Sequence, residues 1–315
     1  MLQSESGAMD KQPARSHEQT KADVPLGLQP PPQSEKLPWH QRTRYRLTDA
    51  NPWLRVPVTW YRHHGFRRED VFVCEYPKSG STWLRFMLYE ILTGQPAEFE
   101  SVNDASRMVG YHLSAPPILP GGGRFIATHE TYRSAYHKVL YVVRDVRDVA
   151  LSHFRIERHM GVSSPILDDF LLRLMRGRRR HGSWHEHALS YLDSDLAKTE
   201  NFLLVRYEDL RRNVEEVLVR VVSFLGAPAG REAICRAVQN NSLEAMRAKE
   251  ERVHASGIEV RMRPFKSSKE EGRFVHRGEV GGWRGKLTPA QLDLVDRYAG
   301  PTLLRLGYPP SLECR

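Results

Sequence analysis

Lys78, Ser79, Gly80, Ser81 and Thr82 stand together inside the run Tyr76-Pro77-Lys78-Ser79-Gly80-Ser81-Thr82-Trp83. An ammonium, several hydroxyls and a glycine at this spacing suit an anion: the charged and hydroxyl groups donate, and the glycine lets backbone approach. Ahead lies Val71-Phe72-Val73-Cys74-Glu75, apolar and β-branched, which predicts a buried strand. Behind, Leu84, Met87, Leu88 and Ile91 recur at helical spacing. A turn between a strand and a helix N-terminus offers unpaired N–H groups, so the expected ligand is a phosphate. An ordinary turn with one exposed lysine would carry the same tripeptide, and short motifs match by chance. The flanking strand and helix favour the phosphate. The common triphosphate loop puts a Gly before its Gly-Lys-Ser/Thr. Here Lys78 precedes Gly80 and no upstream glycine sits at that spacing, which points to a related but different cradle.

A second group repeats the logic. Val139-Leu140-Tyr141-Val142-Val143 is a continuous apolar strand that delivers Arg144 to a sheet edge. A helix is expected over 146–154, and Ser152, about two turns in, can bring a hydroxyl back toward an anion. Arginine is the side chain for bidentate phosphate contact. Arg147 and Asp148 are expected to form a solvated ion-pair cluster. Phe125-Ile126-Ala127-Thr128 predicts a short strand ending at His129. A lone histidine there is more often structural, yet an ordinary pKa of about 6.5 suits a base at neutral pH.

These residues must be positioned by a chain of 315 residues, long enough for a sizeable core. The net charge of +9 and pI near 9.5 fit an anionic ligand or an arginine-rich surface. No nucleic-acid recognition module is visible, so no nucleic-acid partner is expected. The three cysteines, Cys74, Cys235 and Cys314, are too scattered for a disulfide framework or a metal site. No secretory signal or apolar run of about 18 residues is present. A cytoplasmic protein with no membrane span is expected. Residues 1–40 are polar and proline-rich, a composition expected to be a disordered arm. Residues 41–315 are expected to form a single domain. In residues 41–70, aromatic and basic residues (Trp53, Trp60, Tyr61, His63, His64, Phe66) suggest a lid or surface rather than a metal site.

Further helices are expected over 82–92, 167–174, 185–192, 214–225, 231–238, 243–252 and 289–306, with another strand over 202–205. Residues 101–123 read as a long connection and 253–276 as a mobile loop. Strands alternating with helices predict an α/β fold, a P-loop-like central parallel sheet flanked by helices on both faces. Ligand is expected at the carboxyl ends of its strands.

Taken together, these motifs resemble the cytosolic sulfotransferase family that uses PAPS (3′-phosphoadenosine 5′-phosphosulfate). Residues 76–83 look like its 5′-phosphosulfate loop, with Ser81 where Thr is usual. Arg144 to Ser152 looks like its 3′-phosphate motif. His276-Arg277-Gly278 with Gly281-Gly282-Trp283 resembles its C-terminal Arg-Lys-Gly element. Gly182-Ser183-Trp184 with His187, and Arg206-Tyr207-Glu208-Asp209, are further landmarks, and the resemblance spans about residues 70–308. It implies PAPS as co-substrate, PAP as product and no metal. By the same resemblance Lys78, Ser79, Gly80, Ser81 and Thr82 hold the phosphosulfate, and Trp83 stacks on adenine. Arg144, Ser152, Arg277 and Gly278 hold the 3′-phosphate, Tyr207 lies near the adenine edge, and His129 is the catalytic base. Lys78 and Ser152 are counted with the catalytic set as well.

The chain departs from the family at several positions. Ala127 stands where Lys often precedes Thr-His, so a cation near the sulfuryl group is missing, with Arg133 or Lys78 expected to take its role. His276 and Arg277 replace Arg and Lys. Asn241 replaces a Thr that approaches the nucleotide, with Ser242 beside it. Pro289 replaces the Val of the short dimer motif and leaves the oligomeric state open. The implied reaction moves a sulfuryl group to a hydroxyl or amine of a small-molecule, lipid or glycoside acceptor. His129 takes the proton and Lys78 stabilises the leaving group. A P-loop-like nucleotide kinase or NTPase and a non-catalytic anion-binding protein are the alternatives.

Overall fold

The computed structural model describes residues 62–159, 161, 166–256 and 273–311. Residues 1–40, Trp53, Trp60, Tyr61, Cys314 and most of the 253–276 loop lie outside the described residues.

The apolar runs become strands β1 (Val71–Glu75), β2 (Phe125–Thr128), β3 (Val139–Val143) and β4 (Phe202–Arg206). They pair in parallel in the order β2-β1-β3-β4. The register places Cys74 beside Thr128 and Glu75 beside Val142. All four carboxyl ends therefore share one edge, and the chain order reverses between β1 and β3. Ligands of open parallel sheets bind at such a switch point.

Successive strand residues point to opposite faces, and both faces are covered. Phe72, Cys74, Ile126, Tyr141 and Val143 join one core. Against it pack α3 (Val146–His159), α4 (Leu167–Met175), α5 (Trp184–Leu192) and α10 (Pro289–Arg305). Val71, Val73, Phe125, Leu140, Val142 and Val205 face the other core. There lie α1 (Ser81–Thr93), α6 (Tyr207–Arg212), α7 (Val214–Phe224) and α8 (Arg231–Asn240). A smaller cluster joins Phe86 of α1, Phe99 and Val102 of α2 (Phe99–Ala105), and Met246 of α9 (Leu243–Ser256).

Two local expectations are corrected. The start of the 101–123 connection is helical: α2 is held by a reciprocal cap between Glu98 and Ser101. The second concerns Arg147 and Asp148, which are buried rather than solvated. Arg147 pairs with Asp145 at 2.6 Å, donates to Ser311 Oγ and the Pro309 carbonyl, and stacks 4.1 Å over Trp283. The far C-terminal segment folds back over this turn and excludes water, which no local pattern announces. Pro289 sits in the first turn of α10, where its missing N–H costs nothing, behind the capping box of Thr288 and Gln291.

Candidate active site

The turn after β1 is an anion cradle by its backbone alone. Lys78 adopts φ 78°, the left-handed region, and among the described residues is the one non-glycine with positive φ. Such a conformation costs about 1–2 kcal/mol and persists where the surroundings impose it. Gly80 follows at φ 98° and caps α1. Among the described residues, the N–H groups of Lys78, Gly80 and Thr82 have no acceptor. Ser79 Oγ is fully buried without a partner. Donors left unpaired in one turn suit a bound anion. Tyr76 anchors the turn through its hydroxyl, which donates to the Gly182 carbonyl at 2.9 Å.

Lys78 is half-buried, with Nζ 4.5 Å over the Phe274 ring. Burial pushes its pKa down to about 7. Arg155 and Arg144 push the same way, while Glu75 and Glu250 pull it up.

Tyr207 joins the remaining segments. Its ring packs on Gly80 so closely that a Cβ there would lie 2.5 Å from Cδ2. Its hydroxyl donates to the Gly278 carbonyl at 3.0 Å. The Arg144 guanidinium stacks 4.4 Å over the same ring and donates to the Glu279 carbonyl at 2.7 Å. Arg144 Nε is buried without a partner, a second orphaned donor at this edge of the sheet. Asp148 fastens the C-terminal element by accepting the N–H groups of Gly281 and Trp283. Burial raises Asp148 to about 6, with Arg144 pulling it down and Asp145 pushing it up. Glu208 takes the Asp145 N–H and the Tyr308 hydroxyl, so it braces the β3–α3 turn.

Trp83 donates from Nε1 to the Asn241 carbonyl at 2.7 Å, and Arg211 lies 5.3 Å from its ring centre. Asn241 is itself locked by Glu90, by the Ala237 carbonyl and by Lys249. Asn241 therefore orients the tryptophan.

His129 directly follows β2, half-buried beside the end of β1. Its Nδ1 lies 3.2 Å from the Glu75 carbonyl. A carbonyl only accepts, so the neutral ring carries its proton on Nδ1 and keeps the Nε2 lone pair. Burial lowers the His129 pKa. Glu75 raises it, and Arg85 and Arg180 lower it. Arg133, expected to replace the cation missing at Ala127, is not among the charges acting most strongly here. Arg85 is: buried on α1, it donates to Ser106 Oγ at 2.8 Å, beside the strand edge that carries Ala127.

Three expected residues are less engaged. Ser152 is half-buried on α3, and its hydroxyl has no partner among the described residues. Ser242 accepts the Ala245 N–H, so its hydroxyl caps α9. Arg277 is exposed, 3.6 Å from Glu279. Glu75 and Arg85 were missed. Their signal in the sequence is slight: an acid ending an apolar strand, and an arginine on the inward face of a helix. Among the described residues, His63 and His64 included, no group of three or more metal-ligating side chains converges.

Residues 68–307 match the family described as the sulfotransferase domain. Human sulfotransferase 2B1 is 29% identical over 247 residues, covering 73% of this chain and 65% of its own length. The chain thus spans about two thirds of that relative. A 3-beta-hydroxysteroid sulfotransferase of Cavia porcellus is 27% identical over 295 residues, covering 89% of this chain and 98% of its own. A mouse sulfotransferase solved in complex with PAP shares the fold at a TM-score of 0.57 and 21% identity. That match covers 78% of this chain and 91% of the mouse chain. The cradle at the switch point and the family match over 68–307 lead to one assignment: this chain belongs to the sulfotransferase family.

Proposed function

We propose that this protein moves a sulfuryl group from PAPS to an acceptor hydroxyl or amine. One observation carries the reading. Lys78 follows β1 and His129 follows β2, and these strands are neighbours in register, Cys74 beside Thr128. A leaving-group cation and a general base thus occupy the same edge of the sheet, flanking one reaction centre.

The residues divide the work. Free amides of Lys78, Gly80 and Thr82, with Ser79 Oγ, suit the 5′-phosphosulfate. Arg144 and the Gly278 segment, joined through Tyr207, suit the 3′-phosphate, with Ser152 and Arg277 nearby in sequence to these elements. Trp83, oriented by Asn241, offers a ring to adenine. His129 takes the acceptor proton at Nε2. Lys78 and the amides stabilise charge on the departing phosphate oxygen, and each such donor is worth roughly 10²–10³ in rate. A lipid-like alcohol is the first acceptor class to test, because the Cavia porcellus relative is named for a 3-beta-hydroxysteroid.

Calorimetric titration with PAP and with ATP, each with and without magnesium, tests the nucleotide half of the reading. PAP should bind without magnesium and more tightly than ATP. Magnesium-dependent ATP binding without PAP binding would instead favour a nucleotide kinase or NTPase.

A further inference from the structure

Glu75 places a carboxylate inside a cradle built for anions. It ends an otherwise apolar strand and is 5% exposed. Its Oε2 accepts the Ser81 N–H at 2.8 Å, using a helix N-terminal donor that a phosphosulfate would otherwise take. A buried carboxylate beside a bound polyanion is costly unless it does something else. Its charge acts on both reaction groups, Lys78 and His129, and on Arg85. Its carbonyl oxygen lies 3.2 Å from His129 Nδ1 and its Oε1 lies 3.9 Å from the same nitrogen.

We infer that Glu75 is a positioning residue for His129. Its carbonyl fixes the ring tautomer, and its carboxylate balances the positive charge that the ring gains during transfer. The inference rests on the proposed sulfuryl transfer. In that step the acceptor O–H gives its proton to Nε2, and the acceptor oxygen bonds to sulfur. The bond between sulfur and the 5′-phosphate oxygen breaks, and its electron pair leaves with PAP. The ring becomes an imidazolium held at Nδ1 by Glu75.

The surroundings make this counter-charge necessary. Arg85 approaches from α1, and Arg180 and His181 from the segment before α5. The His181 ring stands 5.6 Å away, edge-on, and its Nδ1 meets the His129 carbonyl at 3.1 Å. Buried His187 on α5 also feels the His129 charge, and the Glu75 charge acts on Lys78 as well. Cations and burial disfavour an imidazolium here. Among the described residues, Glu75 is the acid within ion-pair distance of it.

A Glu75→Gln protein separates this role from simple capping, because glutamine can still accept the Ser81 N–H. Three quantities are read: the pH profile of kcat, PAP affinity, and titration of the His129 ring by NMR. Removing the carboxylate should lower the ring pKa by about one unit and move the acid limb of kcat down with it. At neutral pH kcat should fall roughly tenfold. PAP affinity should hold or rise, since a like charge is gone. Glu75→Asp, which keeps the charge, should restore the ring pKa and part of kcat, and it serves if the glutamine protein does not fold. An unmoved ring pKa and acid limb, with loss only of Tm or PAP affinity, would overturn the inference and leave Glu75 a structural cap. The NMR titration needs no acceptor, so it decides the coupling even if no sulfuryl transfer is found.

Discussion

The Tyr207 ring packs against Gly80 so tightly that a single added carbon at residue 80 would meet Tyr207 Cδ2 at 2.5 Å. A residue of the turn after β1 and a residue following β4, far apart in sequence, thus share one surface with Arg144 and Gly278.

Gly80→Ala follows from that contact. The φ of 98° adds about 1 kcal/mol of backbone strain, and displacing the Tyr207 ring adds about 1–3 kcal/mol. PAP affinity should fall at least tenfold, with a lower Tm. Gly94→Ala is the control: its φ is 69°, but nothing lies within 4 Å of the added carbon. That protein should lose stability modestly and keep PAP affinity. Equal PAP affinity in the two variants would remove Tyr207 from the site.

Arg144→Lys keeps the charge and loses the planar stack on Tyr207 and the fork geometry. We expect PAP to bind roughly 10–100-fold more weakly, in line with about 1.5–3 kcal/mol for a charge-assisted hydrogen bond. The folded state should survive, since Asp148 still fastens Gly281 and Trp283. Calorimetry reads the affinity, and a change below twofold would take Arg144 out of 3′-phosphate binding.

Burial, with the charges of Arg155 and Arg144 adding to it, lowers the Lys78 pKa to about 7. A bound polyanion favours its charged form and raises that pKa. Binding therefore takes up protons above the free-protein pKa and not below it. PAP affinity should weaken as pH rises from about 7. Titration in buffers of different ionisation enthalpy should show uptake of about one proton near pH 8.5. Lys78→Met should abolish the pH-dependent part. Proton-neutral binding across this range would mean that Lys78 is already charged in the free protein.

Glu157 gives the acid limit of stability. Burial would raise its pKa, but His153 and Arg179 hold it down at about 2. A depressed carboxylate contributes its stabilisation above the unfolded pKa of about 4.5 and loses it as pH falls toward 2. Thermal melts should show Tm dropping through that window, and Glu157→Gln should flatten the drop while lowering Tm at neutral pH. An identical acid limb in the variant would place the acid sensitivity elsewhere.

Much of the framework was legible because it is local. The apolar runs 71–75, 125–128 and 139–143 fill both faces of a buried parallel sheet, so their ends read directly as strand ends. Lys78, His129 and Arg144 stand beyond strand ends, as expected, because each follows such a run. Arg147 and Asp148 misled because the groups that bury them, Pro309, Ser311 and Trp283, come from far along the chain. The short helix α6 escaped notice because six residues show no period. Glu75 and Arg85 escaped because their meaning lies in which residues they face across the sheet edge, and strand pairing decides that.

Transfer of labelled sulfuryl from PAPS to a panel of hydroxylated small molecules, steroids and glycosides included, tests the central claim most directly. It is run with the native protein and with His129→Ala. The native protein should label at least one acceptor and release PAP in equal amount. His129→Ala should bind PAP normally and lose transfer by about 10²–10⁴-fold, the range for a general base. Normal transfer by His129→Ala would contradict the assignment of the base. PAP binding with no transfer to any acceptor by the native protein would contradict the enzyme.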